Sequence, residues 1–386
     1  MATRATGLAL YRTSIPMRGF EHAAASRELA EAFVARVTFS DGSVGWGETL
    51  PRPYVTGETM ETVAGDIPGV IWPVAAALDF DEGASALAAI LRAPADGRCV
   101  NAAACAIELA AADRLLRREG DTALKALAGG GSVAGRIGVR VSGVLGSRDP
   151  SRTARRLRLM RWFGLRDFKL KLGFGEETDE ANLRVVVGRI GRAIAAGKCT
   201  LRVDVNGGWE VETTPERVAA LKAAGVCAVE QPVFCGAGEL AELARRCPLP
   251  LLADESLVTE ADARELLAAP RHVWWNVRIS KNGGLVAAAR LAAMAAEASV
   301  TVVAGCMVGE SGLLSAAQRR LLQVAGDVRF VEGSYGRFLL ADDLTKPSPR
   351  FGYGGRLKVL RGAGLGVAVD PAKLARYGET VGMLGA

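Results

Sequence analysis

The chain has 386 residues, 49% of them hydrophobic and 23% charged, with a formal net charge of +6. That length predicts two domains, or a large barrel with a smaller partner, and the near-average composition excludes wholesale disorder. The positive charge does not read as a nucleic-acid surface. Its densest groups, Arg114 to Arg118 and Arg152 to Arg161, alternate with Leu and Ala at helical spacing, as solvated helix faces do.

The first predicted elements are strands. Phe33, Ala35, Val37 and Phe39 alternate, Asp41-Gly42 turns the chain, and Val44 and Trp46 follow, which predicts a β-hairpin over 32–48. From Asn101 to Leu127 the chain is rich in Ala and Leu with helical periodicity. Residues 1–127 thus read as an α+β unit, and the Gly-rich run from Leu127 to Val133 as its linker.

Over 134–350 the pattern changes. A run from Val139 to Leu145 predicts one strand. Later apolar runs end near Lys171, Asn206, Gln231, Glu255, Lys281, Cys306 and Glu332, at spacings of 35, 25, 24, 26, 25 and 26 residues. A helical pattern follows each run, so the period is that of a strand–helix repeat. Helix starts are predicted at Thr214-Pro215-Glu216 and at a capping box of Thr259 with Asp262. The helix after Thr178 carries Leu183, Val186, Val187, Ile190 and Ile194 on one face, and Gly197 and Gly225 sit where helices should stop. Eight strands at this spacing predict a parallel α/β barrel of TIM type. The glycine fingerprint of a dinucleotide fold is absent after the first strand.

In such a barrel the chemistry sits at the C-terminal strand ends. Three carboxylates fall there in phase: Asp204, Glu230 and Asp254, separated by 26 and 24 residues. Brought together at one mouth they would repel unless a cation neutralised them, and all-oxygen ligation suits a hard divalent ion, Mg²⁺ first and Mn²⁺ as a substitute. Lys169 and Lys171 share one face of a flanking strand, and Lys281 lies beyond the acidic strands. A partly desolvated lysine near a cation is a usable general base. Together these groups suit removal of a proton next to a carboxylate, because the enediolate that forms needs its extra charge stabilised.

Seven Cys, with no C-x-x-C pair, and only two His argue against a zinc site. No signal peptide and no apolar run of about 18 residues is visible, so a cytoplasmic protein without membrane contact is expected.

These motifs, in order and in phase, resemble the muconate-lactonizing branch of the enolase superfamily over nearly the whole chain. The resemblance rests on Lys169-Leu170-Lys171, on Asp204, Glu230 and Asp254, on Lys281 before Asn282-Gly283-Gly284, and on Gly305 to Ser311. It implies a modified (β/α)7β barrel over 134–350. It also implies an α+β capping domain formed by 1–127 and by a C-terminal segment, 351–386, that returns to it. By the resemblance Lys171 and Lys281 are acid/base catalysts on opposite faces of the substrate, with Lys169 assisting. Asp204, Glu230 and Asp254 hold the metal. Asn206 and Glu255 support the ligands, Glu310 lies near the substrate, and Glu332 retains one carboxylate of an eighth-strand Asp-x-Asp that in dipeptide epimerases holds the substrate's amino group. Two loops, around Arg18 to His22 and around Arg52, Tyr54 and Thr56, close over a small carboxylate, and a homo-oligomer is expected. Three functions follow as expectations. The first is a racemase or epimerase of an amino-acid or dipeptide derivative. The alternative is a cycloisomerase, or a syn-dehydratase of the o-succinylbenzoate synthase type. The remote one is a non-catalytic carboxylate-binding protein.

Overall fold

A computed structural model describes residues 2–22, 25–93 and 96–385; the side chains at 19–27 are outside the described set. Three N-terminal strands, β1 (Ala5–His22), β2 (Ala25–Phe39) and β3 (Val44–Thr49), form an antiparallel sheet. The C-terminal strand Gly378–Gly385 adds to its edge against β1. The hairpin turn falls at Asp41-Gly42, where the sequence places it. Helix Asn101–Glu119 lies across β3 so closely that a Cβ on Gly45 or Gly47 would stand 1.8 or 2.0 Å from the carbonyl oxygens of Ala110 and Ala106. Only glycine permits that approach.

The second unit is built on eight short parallel strands: β4 (Gly143–Leu145), β5 (Asp167–Lys171), β6 (Thr200–Asp204), β7 (Val229–Glu230), β8 (Leu251–Ala253), β9 (Val273–Val277), β10 (Val302–Ala304) and β11 (Val328–Val331). They pair in sequence order. A parallel bridge from Val141 to Val331, with Ser142 N–H donating to the Val331 carbonyl at 2.8 Å, joins the first strand run to the last. A helix follows each of the first seven strands, from Pro150–Trp162 to Gly312–Val324. This is the (β/α)7β barrel. Its strands are mostly buried, as parallel strands with helices outside must be, and the polar residues they carry point to the barrel's interior chemistry: Lys169, Arg202, Asp204, Glu230 and Asn276 are all buried.

Buried carboxylates fasten the two units together. Glu48 of β3 accepts the N–H groups of Ser311 and Leu314 at 2.8 and 3.0 Å and the Ser311 hydroxyl at 2.8 Å. It thereby occupies the N-terminus of helix Gly312–Val324, whose first-turn N–H groups have no partner within the helix. Glu108 does the same for helix Leu285–Glu297, accepting from Leu285 and Val286 at 2.9 and 2.8 Å. Burial pushes both carboxyls up to about 7 against the pull of those donors.

Two local expectations need correction. Thr214 is not the cap of its helix: the helix begins at Thr214, the cap position is Thr213, and the Thr214 hydroxyl donates to the Glu210 carbonyl at 2.7 Å instead. Arg114 is not on a solvated face. It is buried, pairs with Asp41 at 2.7 Å and lies over the Phe39 ring, because its helix is packed against the hairpin. The capping box of Thr259 and Asp262 is present.

Candidate active site

Strand periodicity delivers the predicted residues to one mouth. Lys171, Asp204 and Glu230 are the last residues of β5, β6 and β7, and Asp254 follows β8 directly. Asp204, Glu230 and Asp254 are fully buried. Lys169 Nζ lies 3.2 Å from both Glu230 oxygens, 3.3 Å from Asp204 Oδ2 and 2.6 Å from Glu332 Oε2. Burial opposes its charge, but Glu230, Glu332 and Asp204 outweigh it and hold the ammonium well above the usual lysine value. Burial likewise opposes the Asp204 charge, yet Lys171 and Lys169 keep that carboxyl below its ordinary range.

Lys171 reaches Asp204 Oδ2 at 3.0 Å and donates to Asn206 Oδ1 at 2.9 Å. Asn206 in turn donates to Glu255 Oε1 at 3.3 Å, so it links the lysine to the loop after β8. Burial, with Asp254 adding to it, pushes the Glu255 carboxyl up to about 8. Gln231, which sequence reasoning missed, pins that loop: its side-chain oxygen accepts the N–H groups of Asp254 and Ser256.

Lys281 stands elsewhere than the sequence suggests. Strand β9 ends at Val277, and Lys281 sits in the turn beyond, fully buried. Its three donors go to the Asp254 carbonyl, Asp254 Oδ1 and the Asn276 carbonyl at 2.7, 3.0 and 2.7 Å. Among the described residues it does not line the cavity; Arg278 does. The Arg278 guanidinium bonds Asp254 Oδ2 and approaches Glu230 Oε1 at 3.5 Å. Burial opposes its charge, but Asp254 and Glu230 hold it above the usual arginine value. β5 and β9 are four places apart in a ring of eight, so Arg278 faces Lys171 across the mouth.

The cavity measures about 440 Å³, and Lys169, Lys171, Asn206 and Arg278 line it together with Glu310 and Glu332. Arg18 and Tyr54 reach it from the capping unit. Arg18 to His22 are the end of strand β1 and not a loop, and Arg18 is the one of them whose side chain is described. Arg52 does not line the cavity: it is buried and donates to the carbonyls of Pro51 and Val308 at 2.7 and 3.1 Å, tying the cap to the loop after β10. Glu310 accepts from Met307 N–H and Ser315, and burial pushes it up to about 8. Glu332 is engaged on both oxygens, by Lys169 and by the buried Arg202 at 3.0 Å. Each oxygen thus already meets a cation of the protein. Arg202 was also missed; it crosses the barrel interior with its guanidinium 4.2 Å from the Phe330 ring.

The donor set fits a hard divalent cation. Three buried carboxylates end adjacent strands, and the cations that meet them, Lys169, Lys171 and Arg278, balance the charge they concentrate there. As the side chains stand, no three acidic, His or Cys groups among the described residues converge on one point. Arg278, lodged between Asp254 and Glu230, takes up the charge a metal would otherwise meet.

Residues 150–373 match the family model described as enolase C-terminal domain-like. The chain belongs to the muconate-lactonizing branch of the enolase superfamily. It is 31% identical over 355 residues to muconate cycloisomerase 1-2 of Acinetobacter lwoffii, covering 89% of this chain and 87% of that one. The match to muconate cycloisomerase 1-1 of the same organism is 34% over 212 residues and spans only 54% of each chain. L-Ala-D/L-Glu epimerase of Bacillus subtilis is 27% identical over 304 residues, covering 77% of this chain and 79% of the epimerase. Among solved structures, 2-chloromuconate cycloisomerase of Rhodococcus opacus superposes with a TM-score of 0.81 at 26% identity, covering 98% of this chain and 100% of its own. This enolase-superfamily chain is therefore an isomerase by family. Among the described residues no helix is long and apolar enough to cross a membrane.

Proposed function

We propose that this enzyme removes the proton next to a carboxylate from one face only, as a cycloisomerase-type isomerase, with Lys171 as its acid/base group. The observation that carries the reading is the pairing across the mouth: a lysine on one side and an arginine on the other. A guanidinium is not deprotonated in proteins, so Arg278 is no ordinary base. Two-face exchange, as in a racemase, needs a second base. One-face chemistry needs one base and a cation opposite it, and Arg278 supplies that cation.

Asp204, Glu230 and Asp254 would hold Mg²⁺, or Mn²⁺, which when bound neutralises charge building on the substrate carboxylate. The chain's own groups do the rest. Lys171 takes the proton, and Asn206 fixes the position of its Nζ. Lys169, held charged by three carboxylates, lends a fixed positive charge beside the developing enediolate. Lys281 positions Asp254 from behind, and Tyr54 and Arg18 cover the mouth.

The test is incubation of candidate carboxylates with enzyme and Mg²⁺ in D₂O, followed by NMR of substrate and product. The expected result is deuterium at one α-carbon with its configuration kept, and a ring-closed or ring-opened isomer of unchanged mass apart from the label. Inversion at that carbon would restore the racemase reading, and loss of water would indicate the dehydratase.

A further inference from the structure

The cavity extends past the charged groups. It runs along the seam between the first and last barrel strands, flanked by Val144 of β4 and by Tyr335 after β11. Helix Pro150–Trp162 and the residue after it contribute Leu159, Met160, Trp162 and Phe163 to its wall. The segment after β11 contributes Phe338, Leu339 and Phe351. Four of these rings pack on one another: Phe163 lies 6.4 Å from Phe338 and 6.0 Å from Phe351, Phe351 5.3 Å from Phe338 and 5.6 Å from Tyr335.

This wall is apolar out to the solvent. Leu159, Trp162 and Phe338 are 57%, 79% and 48% exposed, although large apolar side chains gain nothing for the fold in such positions. Beyond the strand-end groups, Glu310 and Glu332, the charged residues lining the cavity are Arg18 and Arg156. Both are cations, so beyond Glu310 and Glu332 the arm offers no counter-charge to an ammonium. A volume of about 440 Å³ lies within the ordinary range for small-molecule sites.

We propose that this arm receives a large apolar, aryl-type substituent, so that the substrate is an aryl-bearing carboxylic acid and not a small or amino-bearing one. The inference rests on the reading that the carboxylate end lies at Lys171 and the metal ligands. The rings of Phe163, Phe338 and Phe351 supply offset and edge contacts to an aromatic group. The charged strand ends fix the other end.

The test is isothermal titration of the Mg²⁺-loaded enzyme with acetate and with a series from phenylacetate to 6-phenylhexanoate. Affinity is expected to rise about fourfold per added methylene until the arm is filled. Phe338→Asp and Leu159→Asp, both at exposed positions, should each flatten that slope, read as the ratio of longest to shortest ligand; thermal melts check that each variant stays folded. Phenylalkanoates that bind no tighter than acetate would overturn the proposal, and so would a slope that survives both substitutions. The readout is binding without turnover. A failed deuterium exchange would therefore leave this inference standing, and a flat slope would leave the one-face reaction standing.

Discussion

Arg278 lies three residues before Lys281, yet of the two only Arg278 reaches the cavity. If the reaction proceeds on one face as proposed, the identity of residue 278 should set its stereochemistry. Arg278→Lys places a group that can lose its proton opposite Lys171. The variant is expected to exchange the α-proton on both faces and to racemise a chiral substrate that the parent only labels. Chiral chromatography of product after D₂O incubation checks this.

The two lysines should fail in different ways. On the proposed reading Lys171→Met removes the base and is expected to lower kcat by about 10²- to 10⁴-fold, with a smaller fall in melting temperature than Lys281→Met because Lys169 still faces Asp204. Lys281→Met leaves the Asp254 and Asn276 carbonyls without their donor, at roughly 1–3 kcal/mol per buried group, and strips Asp254 of a counter-ion. Its melting temperature should fall together with its activity. A Lys281→Met protein of parental stability would contradict the positioning role.

Metal affinity is a third measurement. Arg278 neutralises Asp254 and Glu230 from a contact position, so a divalent ion must compete with it. Arg278→Met is expected to tighten Mg²⁺ binding by about tenfold or more, given the size of a single neighbouring charge at partial burial. Calorimetric titration without substrate reads this directly. Unchanged affinity would mean the guanidinium does not share the metal's ligands.

The buried helix caps carry a pH signature. Burial pushes the Glu108 carboxyl up to about 7 in the folded chain, against an ordinary value of about 4.5 when unfolded. The unfolded state gives up the proton first, so stability is greatest below about 4.5 and declines as pH rises through 7. The span corresponds to roughly 3 kcal/mol for this one group. Glu108→Gln has no proton to lose, so the parent's melting temperature minus the variant's should fall from pH 4.5 to 7.5. A difference that rises over that range would refute the burial argument.

The barrel and most of its mouth were legible in the sequence because both follow from a count. A period near 25 residues sets the strands, and the residue ending each apolar run faces the mouth. That count also reaches Arg278, which lies 24 residues past Asp254 just as Asp254 lies 24 past Glu230, whereas Lys281 at 27 falls beyond the strand end. Other features depend on contacts that no local pattern encodes. Arg202 meets Glu332 across 130 residues, and Arg52 meets Val308 across 256, so the roles of Glu332 and Arg52 changed once their partners were in view. The apolar arm arises where helix Pro150–Trp162 packs beside the segment after β11. Neither segment announces a cavity by itself.

Glu48 is a residue of the capping sheet that completes the first turn of a barrel helix. An amide held by such a carboxylate cannot exchange its hydrogen through local fraying alone; the sheet must first let go. The N–H groups of Ser311 and Leu314 therefore act as internal reporters of cap release, and their exchange rates measure how often the mouth of the barrel is uncovered.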